Sequence, residues 1–399
     1  MSSQTPPRVE FYKHQLGTTE AESWQAVLRT LFLTLGPQVS AFEQELGQFL
    51  VRDREQEPPT VVGTNSCSMG LLMCLAAFDV KPGDEIITTP MTFASTTNAI
   101  LHIGATPVLV DVEPETGLID PARVRAAIGP KTRGIMPVHL YGQLADMRAL
   151  RAIADEHKLF IIEDSAHGIE MERNGLRPSE LGDCAVFSFY ATKNLTSGDG
   201  GAIATRNPKL AERLRRLRNH GVSKAATERH GDQYQHWDLV ELGYKGNLTD
   251  LDAALLRPQL PLALEKRTAR QRIAEHYETT LAQKIPFFAA HSGGVPPLIA
   301  RRGQSTHHLF SVHVPAKHRD FILSALGKAG VGTAVNYRAI HTLTYLKERL
   351  ALPRGTLPIA EEMGDRTISL PMYPQLALRE VDRVVQALAD AFVAAEARG

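Results

Sequence analysis

Three short stretches hold residues whose types and spacing suit chemistry on one ligand. The first is Gly63-Thr64-Asn65-Ser66-Cys67-Ser68-Met69-Gly70, which leads from a β-rich run straight into a helical pattern. Small residues there let backbone N–H groups point at an anion, the helix start adds partial positive charge, and Ser66 and Ser68 add hydroxyls. The pattern is neither a Walker loop nor G-x-G-x-x-G, and a small-residue turn that merely caps a helix explains it as well. The second is Asp164, which ends the most apolar run of the chain before Ser165-Ala166-His167-Gly168. A carboxylate at the end of a buried strand is costly unless a cation or a donor meets it. A protonated ring nitrogen would serve, and so would a structural arginine or a helix cap. The third is Phe187-Ser188-Phe189-Tyr190-Ala191-Thr192-Lys193-Asn194-Leu195-Thr196-Ser197-Gly198-Asp199-Gly200-Gly201. A lysine held at the apolar edge of a sheet has a depressed pKa and can form a Schiff base with a carbonyl. Of 13 lysines, Lys193 is the one in that setting.

The three stretches together ask for one ligand with a phosphate, a protonatable ring nitrogen and an aldehyde, and pyridoxal 5'-phosphate has all three. Phe93, in Pro90-Met91-Thr92-Phe93, is placed either to lie against the flat pyridine ring or to pack at a helix start.

These stretches must be positioned by the elements around them. From about residue 60 to 205, β-rich runs alternate with helical ones, the pattern of a mainly parallel sheet with helices on its faces. Seven strands are predicted, at residues 60–62, 85–89, 106–111, 134–138, 159–164, 185–189 and 201–205, with helices over 69–78, 92–102, 121–128 and 147–157. In such sheets ligands bind beyond the carboxyl ends of the strands, where all three stretches fall. Residues 250–285 read as one long helix broken near Pro258 and Pro261. After it a β-like run at 309–314, a helix over 320–329 and a closing helix from Arg379 predict a smaller α+β domain. The expected division is residues 1–257, with the large cofactor-binding domain, and residues 258–399.

Composition narrows the function. Lys+Arg and Asp+Glu are 44 each, so there is no net field for a polyanion, and nucleic acid is not an expected partner. No run approaches the roughly 20 apolar residues of a membrane helix, and the first eight residues lack the apolar core of an export signal. Three scattered cysteines, Cys67, Cys74 and Cys184, predict a reducing compartment, the cytoplasm by default. Metal and serine-hydrolase chemistry lack their patterns: no His-Glu-x-x-His, no G-x-S-x-G, and His307 and His308 are adjacent, so they cannot share one face.

The ordered motifs resemble the pyridoxal phosphate-dependent nucleotide-sugar aminotransferases of the DegT/StrS type. The resemblance runs from Gly36 to Leu388 through Gly36-Pro37, Pro82-Gly83-Asp84-Glu85, Pro137-Val138-His139-Leu140-Tyr141-Gly142, Glu163-Asp164-Ser165-Ala166-His167, Ser188 to Gly201, Gly243 to Asp250, and Ser369-Leu370-Pro371. It implies a three-layer α/β aminotransferase-like fold. It makes Lys193 the cofactor-linked lysine and Asp164 the partner of the ring nitrogen, with His167 beside the ring oxygen. Ser68, the backbone N–H of Met69 and Ser188 would hold the phosphate. Asn247 would reach it from the neighbouring subunit of a homodimer with shared sites. Tyr337, Arg338 and His341 fall in a substrate-facing segment, or in interface salt bridges for the last two. The implied reaction passes an amino group from an amino acid, L-glutamate by family habit, to a ketosugar on a nucleoside diphosphate, at C3 or C4. Three departures from the pattern are notable: Cys67 stands where the cup commonly has Gly, Leu248-Thr249 follow Asn247 where many members have Tyr-Arg-Met and so lack that Arg as a substrate contact, and Asp199 replaces the commoner Glu. Two other readings share the fold, a sugar dehydratase, which typically has His where this chain has Lys193, and a regulatory relative without catalysis.

Overall fold

A computed structural model describes residues 7–53, 55–223, 236–289 and 294–398. The first six residues of the segment inspected for an export signal lie outside these. Seven strands form one sheet: β1 (Thr60–Thr64), β2 (Glu85–Thr88), β3 (Thr106–Leu109), β4 (Thr132–Met136), β5 (Phe160–Asp164), β6 (Cys184–Ser188) and β7 (Gly201–Thr205). Their order is β1-β7-β6-β5-β4-β2-β3, and only β7 runs antiparallel to its neighbours.

Side chains alternate across a strand, so each strand feeds two cores. Val62, Ile86, Met136, Ile162, Val186 and Ile203 pack with the helices Cys67–Ala77 and Pro208–Leu217. Val61, Ala185, Phe187, Ala202 and Ala204 face the helices Pro37–Leu50 and Asp250–Leu256, while Ile87, Ile135 and Ile161 meet the helix Met147–His157. Helix, sheet and helix make three layers. The helix starts carry their caps: the side chains of Ser66, Asp120, Asp146 and Asn207 each accept a first-turn N–H.

The seven expected strands all form, with ends shifted by a few residues. The run 106–111 leaves the sheet after Leu109, and the Asp111 carboxylate instead accepts the N–H groups of Ile359 and Ala360. The break in the long helix is a 3₁₀ segment, Arg257–Leu262, between Asp250–Leu256 and Ala263–Lys284. Proline has no N–H to continue the ladder there. A separate apolar core, from Ile273 to Ala395, surrounds the antiparallel pair β8 (Phe310–His313) and β9 (Thr367–Leu370). Val9 is buried in that core and bridges Val331, so the chain start packs on its C-terminal part. Among the described residues no helix is long and apolar enough to cross a membrane.

Candidate active site

The carboxyl ends of β1, β5 and β6 and the start of β7 open on one cavity of about 720 Å³. Its lining includes Ser68, Phe93, Asp164, His167, Ser188, Lys193 and Tyr337. Ser68, Asp164 and Ser188 thus meet because parallel strands end on the same edge, and Tyr337, from the C-terminal part of the chain, lines the cavity beside them.

Lys193 sits in the loop joining β6 to β7. Its backbone N–H donates to the carbonyl of Tyr190, and Gly198 and Gly200 have φ of +92° and +134°, which side-chain-bearing residues rarely adopt. Gln259, from the 3₁₀ segment, pins this loop: its Oε1 accepts from Thr196 N–H at 3.2 Å and its Nε2 donates to the Thr196 carbonyl at 2.8 Å. Burial pushes the Lys193 amine down to about 8, against the pull of Cys67 and Asp164. Its Nζ lies 3.5 Å from His308 Nε2.

Asp164 ends β5 fully inside the protein. Its Oδ2 accepts from Thr96 Oγ1 at 2.7 Å and its Oδ1 from Ala166 N–H at 3.1 Å. Burial nevertheless raises its pKa, so the carboxylate is short of positive charge. His167 Nδ1 accepts the Tyr141 N–H at 2.9 Å, which puts the ring proton on Nε2, facing Tyr337 Oη at 3.0 Å. Burial keeps this imidazole neutral.

The cup is built on close backbone approach. A Cβ on Gly201 would meet the Ser66 carbonyl carbon at 2.5 Å and the Cys67 nitrogen at 2.6 Å, so β7 can lie against the cup only as glycine. Cys67 Sγ turns toward the Val186 carbonyl, 3.8 Å away, and joins the apolar core beneath the cup. The cysteine in place of the usual glycine therefore need not crowd an anion. Ser68 and Ser188 line the cavity. The Met69 N–H departs from expectation: it donates to Ser66 Oγ at 3.1 Å as the helix cap. The amides of Cys67 and Ser68, earlier in the same turn, have no acceptor within the helix.

The remaining residues divide. Tyr337 lines the cavity with Phe93, their ring centroids 6.2 Å apart. Arg338 is exposed and not part of the lining, and His341 is buried, its Nε2 3.0 Å from Glu361 Oε1. His341 thus belongs to the packing of the helix Pro358–Arg366 and not to a substrate surface. Asn247 pairs its backbone with Thr64 but does not line this chain's own cavity; its amide joins Lys245 Nζ and the Arg218 carbonyl. Sequence reasoning missed Thr96, Gln259 and His308, which no motif marks and which reach the site only through the fold, and it gave no role to Asn194 although that residue directly follows Lys193.

A lysine whose pKa burial depresses, a buried carboxylate in need of a cation, and an amide-and-hydroxyl cup face one cavity, and these residues fit pyridoxal phosphate. Fold and site together define a pyridoxal phosphate-dependent aminotransferase. The chain belongs to the DegT/DnrJ/EryC1/StrS aminotransferase family, whose model matches residues 14–389. It is 36% identical over 392 residues to the spore coat polysaccharide biosynthesis protein SpsC of Bacillus subtilis, covering 96% of this chain and 97% of that one. Among solved structures it resembles S. venezuelae DesV in complex with a ketimine intermediate, with 33% identity, a TM-score of 0.84, and coverage of 96% of this chain and 98% of that one. It also resembles the putative sugar aminotransferase Spr1654 of Streptococcus pneumoniae in its PMP form, with 26% identity, a TM-score of 0.87, and coverage of 97% and 100%.

Proposed function

We propose that this enzyme moves the amino group of an amino acid, L-glutamate, to a 3- or 4-keto group of a sugar carried on a nucleoside diphosphate, in amino-sugar biosynthesis. The observation that carries this reading is the pairing of Lys193 and Asp164 across one cavity, the first held near neutrality and the second starved of positive charge. Bound pyridoxal phosphate supplies an aldehyde that takes up the amine and a ring that withdraws electrons from it.

The chain's own residues do the rest. Asp164 holds a proton on the ring nitrogen, because a buried carboxylate gains most from a cation beside it. Thr96 and the Ala166 amide fix its two oxygens. Ser68, Ser188 and the first-turn amides would hold the phosphate, His167 would stand beside the ring oxygen, and Phe93 would lie against the ring. Lys193, as the free amine, would be the base that takes a proton from the donor's α-carbon onto its Nζ and returns it to the cofactor's aldehyde carbon. A cavity of about 720 Å³ lies high in the range that holds one small ligand, which supports room for cofactor and sugar together. Tyr337, at its wall, is the substrate contact retained from the sequence reading.

Two copies are proposed to form a homodimer in which Asn247 serves the partner's phosphate. Support comes from its position outside its own cavity, and from Leu31 and Leu242, 87% and 91% exposed in the single chain. The two-domain division at 257/258 is retained as a proposal, with the segment around Val9 assigned to the smaller unit's core. Nothing about Lys193 favours the dehydratase reading, which typically has His there.

The test is a two-stage assay. Protein converted to its aminated form by L-glutamate is washed free of donor and offered nucleoside diphosphate 3- and 4-ketosugars, and the product is read by mass. An aminated sugar nucleotide is expected. Turnover with α-keto acids and with no ketosugar would overturn the substrate class.

A further inference from the structure

Behind Lys193 runs a chain of buried polar side chains that the proposed reaction does not use. It begins at Arg270 and Glu170, a buried ion pair with side chains 2% and 0% exposed. Glu170 Oε1 also accepts from Asn194 Nδ2 at 3.1 Å, and Arg270 Nε donates to the Thr306 carbonyl at 2.8 Å. Asn194 Oδ1 lies 3.4 Å from His308 Nδ1, and His308 Nε2 lies 3.5 Å from Lys193 Nζ.

The direction of this chain is forced at its far end. An ion-paired carboxylate only accepts, so Asn194 must turn its NH₂ to Glu170 and its oxygen to His308. An amide oxygen only accepts, so the His308 proton must be on Nδ1. The Nε2 lone pair is then left facing Lys193, whose amine can only donate to it. A charged imidazole would present Nε2–H to the lysine instead, but burial, with Lys193 and His167 nearby, holds His308 neutral.

We propose that His308 is a positioning residue for Lys193, an acceptor fixed in one tautomer by Asn194 and the Glu170–Arg270 pair, that takes one N–H of the amine and so aims its lone pair into the cavity. Lysine is otherwise a flexible four-carbon stem ending in a freely rotating group. Orientation of a base before it acts is worth orders of magnitude in rate. The inference deepens the transamination reading, because it concerns the base that reading assigns.

The titratable groups facing the amine are Asp164 at the end of β5, Cys67 at the cup, His167 after β5 and His308, with Arg270 behind Asn194. An acceptor favours the charged amine over the neutral one, so its removal should lower the Lys193 midpoint further.

The experiment uses the whole chain without cofactor, ¹⁵N-labelled in its lysines so that every amine keeps its own hydrogens, and follows the Lys193 Nζ signal by NMR against pH. His308→Phe should lower the midpoint from about 8 by about one unit, while His308→Gln, whose amide oxygen restores an acceptor, should stay within a few tenths of wild type. In the loaded enzyme His308→Phe should slow the donor half-reaction by about tenfold or more with little change in donor KM, and His308→Gln should recover most of it. A folded His308→Phe protein with an unchanged Lys193 midpoint overturns the proposal. If that variant does not fold, ¹⁵N NMR of the wild-type histidines decides: Nδ1–H on His308 supports the chain, and Nε2–H overturns it. Because these titrations need neither cofactor nor sugar, a failure to bind pyridoxal phosphate would count against the proposed function and leave them unaffected.

Discussion

At Lys193 two demands conflict, since an amine must be neutral to attack a carbonyl while water keeps a lysine charged until about pH 10.4. Burial resolves it by lowering the midpoint to about 8. The neutral form dominates above that value, so the rate at which cofactor-free protein captures pyridoxal phosphate should rise as pH passes from 7 to 9 and then level off. A capture rate flat across that window would contradict a depressed amine. Lys193→Ala should abolish turnover, with a loss of about 10³-fold or more, while the protein stays folded and still holds cofactor noncovalently. Asp164→Asn keeps the shape but removes the charge, and kcat should fall about 10²-fold or more; an unchanged rate would take Asp164 out of the site. These two residues were legible in the sequence because Asp164 ends a strand, Lys193 falls in the turn after one, and each is flanked by residues of the right type. His308 was not. It was weighed only with His307 as a metal pair and set aside because adjacent residues cannot share one face, and only the tertiary approach of residues 305–308 to the lysine loop shows what His308 faces.

The elements carry positions that no motif announces. Strand β7 must run close under the cup, and Gly201→Ala would drive a Cβ into the backbone of Ser66 and Cys67. Overpacking of this kind costs about 1–3 kcal/mol. Part of it should appear as a Kd for pyridoxal phosphate raised about tenfold, measured by titration of the cofactor's absorbance. Gln259→Ala would leave the Thr196 N–H and carbonyl buried without partners, at about 1–3 kcal/mol. A lower Tm with cofactor contacts otherwise intact is the expected result, read by thermal melting. The strands and most helices were readable from apolar periodicity, because each strand face feeds its own core and the pattern repeats every two residues. The ends were less so: Asp111 leaves the sheet to cap a helix nearly 250 residues away, and Cys67 begins its helix two residues early because Ser66 supplies the cap. Both depend on a side chain choosing a backbone partner, which periodicity does not encode.

For the whole molecule the decisive question is whether two chains share a site. Asn247 is outside its own cavity, and the resemblance sends it across the interface. When Lys193→Ala and Asn247→Ala chains are mixed and allowed to exchange, each mixed dimer should hold one site with both residues intact, for about a quarter of wild-type activity after random pairing. No recovery would mean that Asn247 acts within its own chain or not at all. The resemblance supplied Asn247, the cofactor's orientation and the substrate class; residue chemistry alone reached only the ligand's three functional groups. It also supplied His341, which the structure buries against Glu361, because a segment-level likeness does not say which side chains of the segment face inward. The most direct test of the central claim is a visible absorption spectrum of the protein with pyridoxal phosphate, taken before and after L-glutamate, alongside Lys193→Ala. The wild-type protein should show the band of a lysine-linked cofactor and lose it to the shorter-wavelength band of the aminated form, and the variant should show no lysine-linked band. A wild-type spectrum identical to free pyridoxal phosphate would contradict the assignment of Lys193 and the reaction built on it.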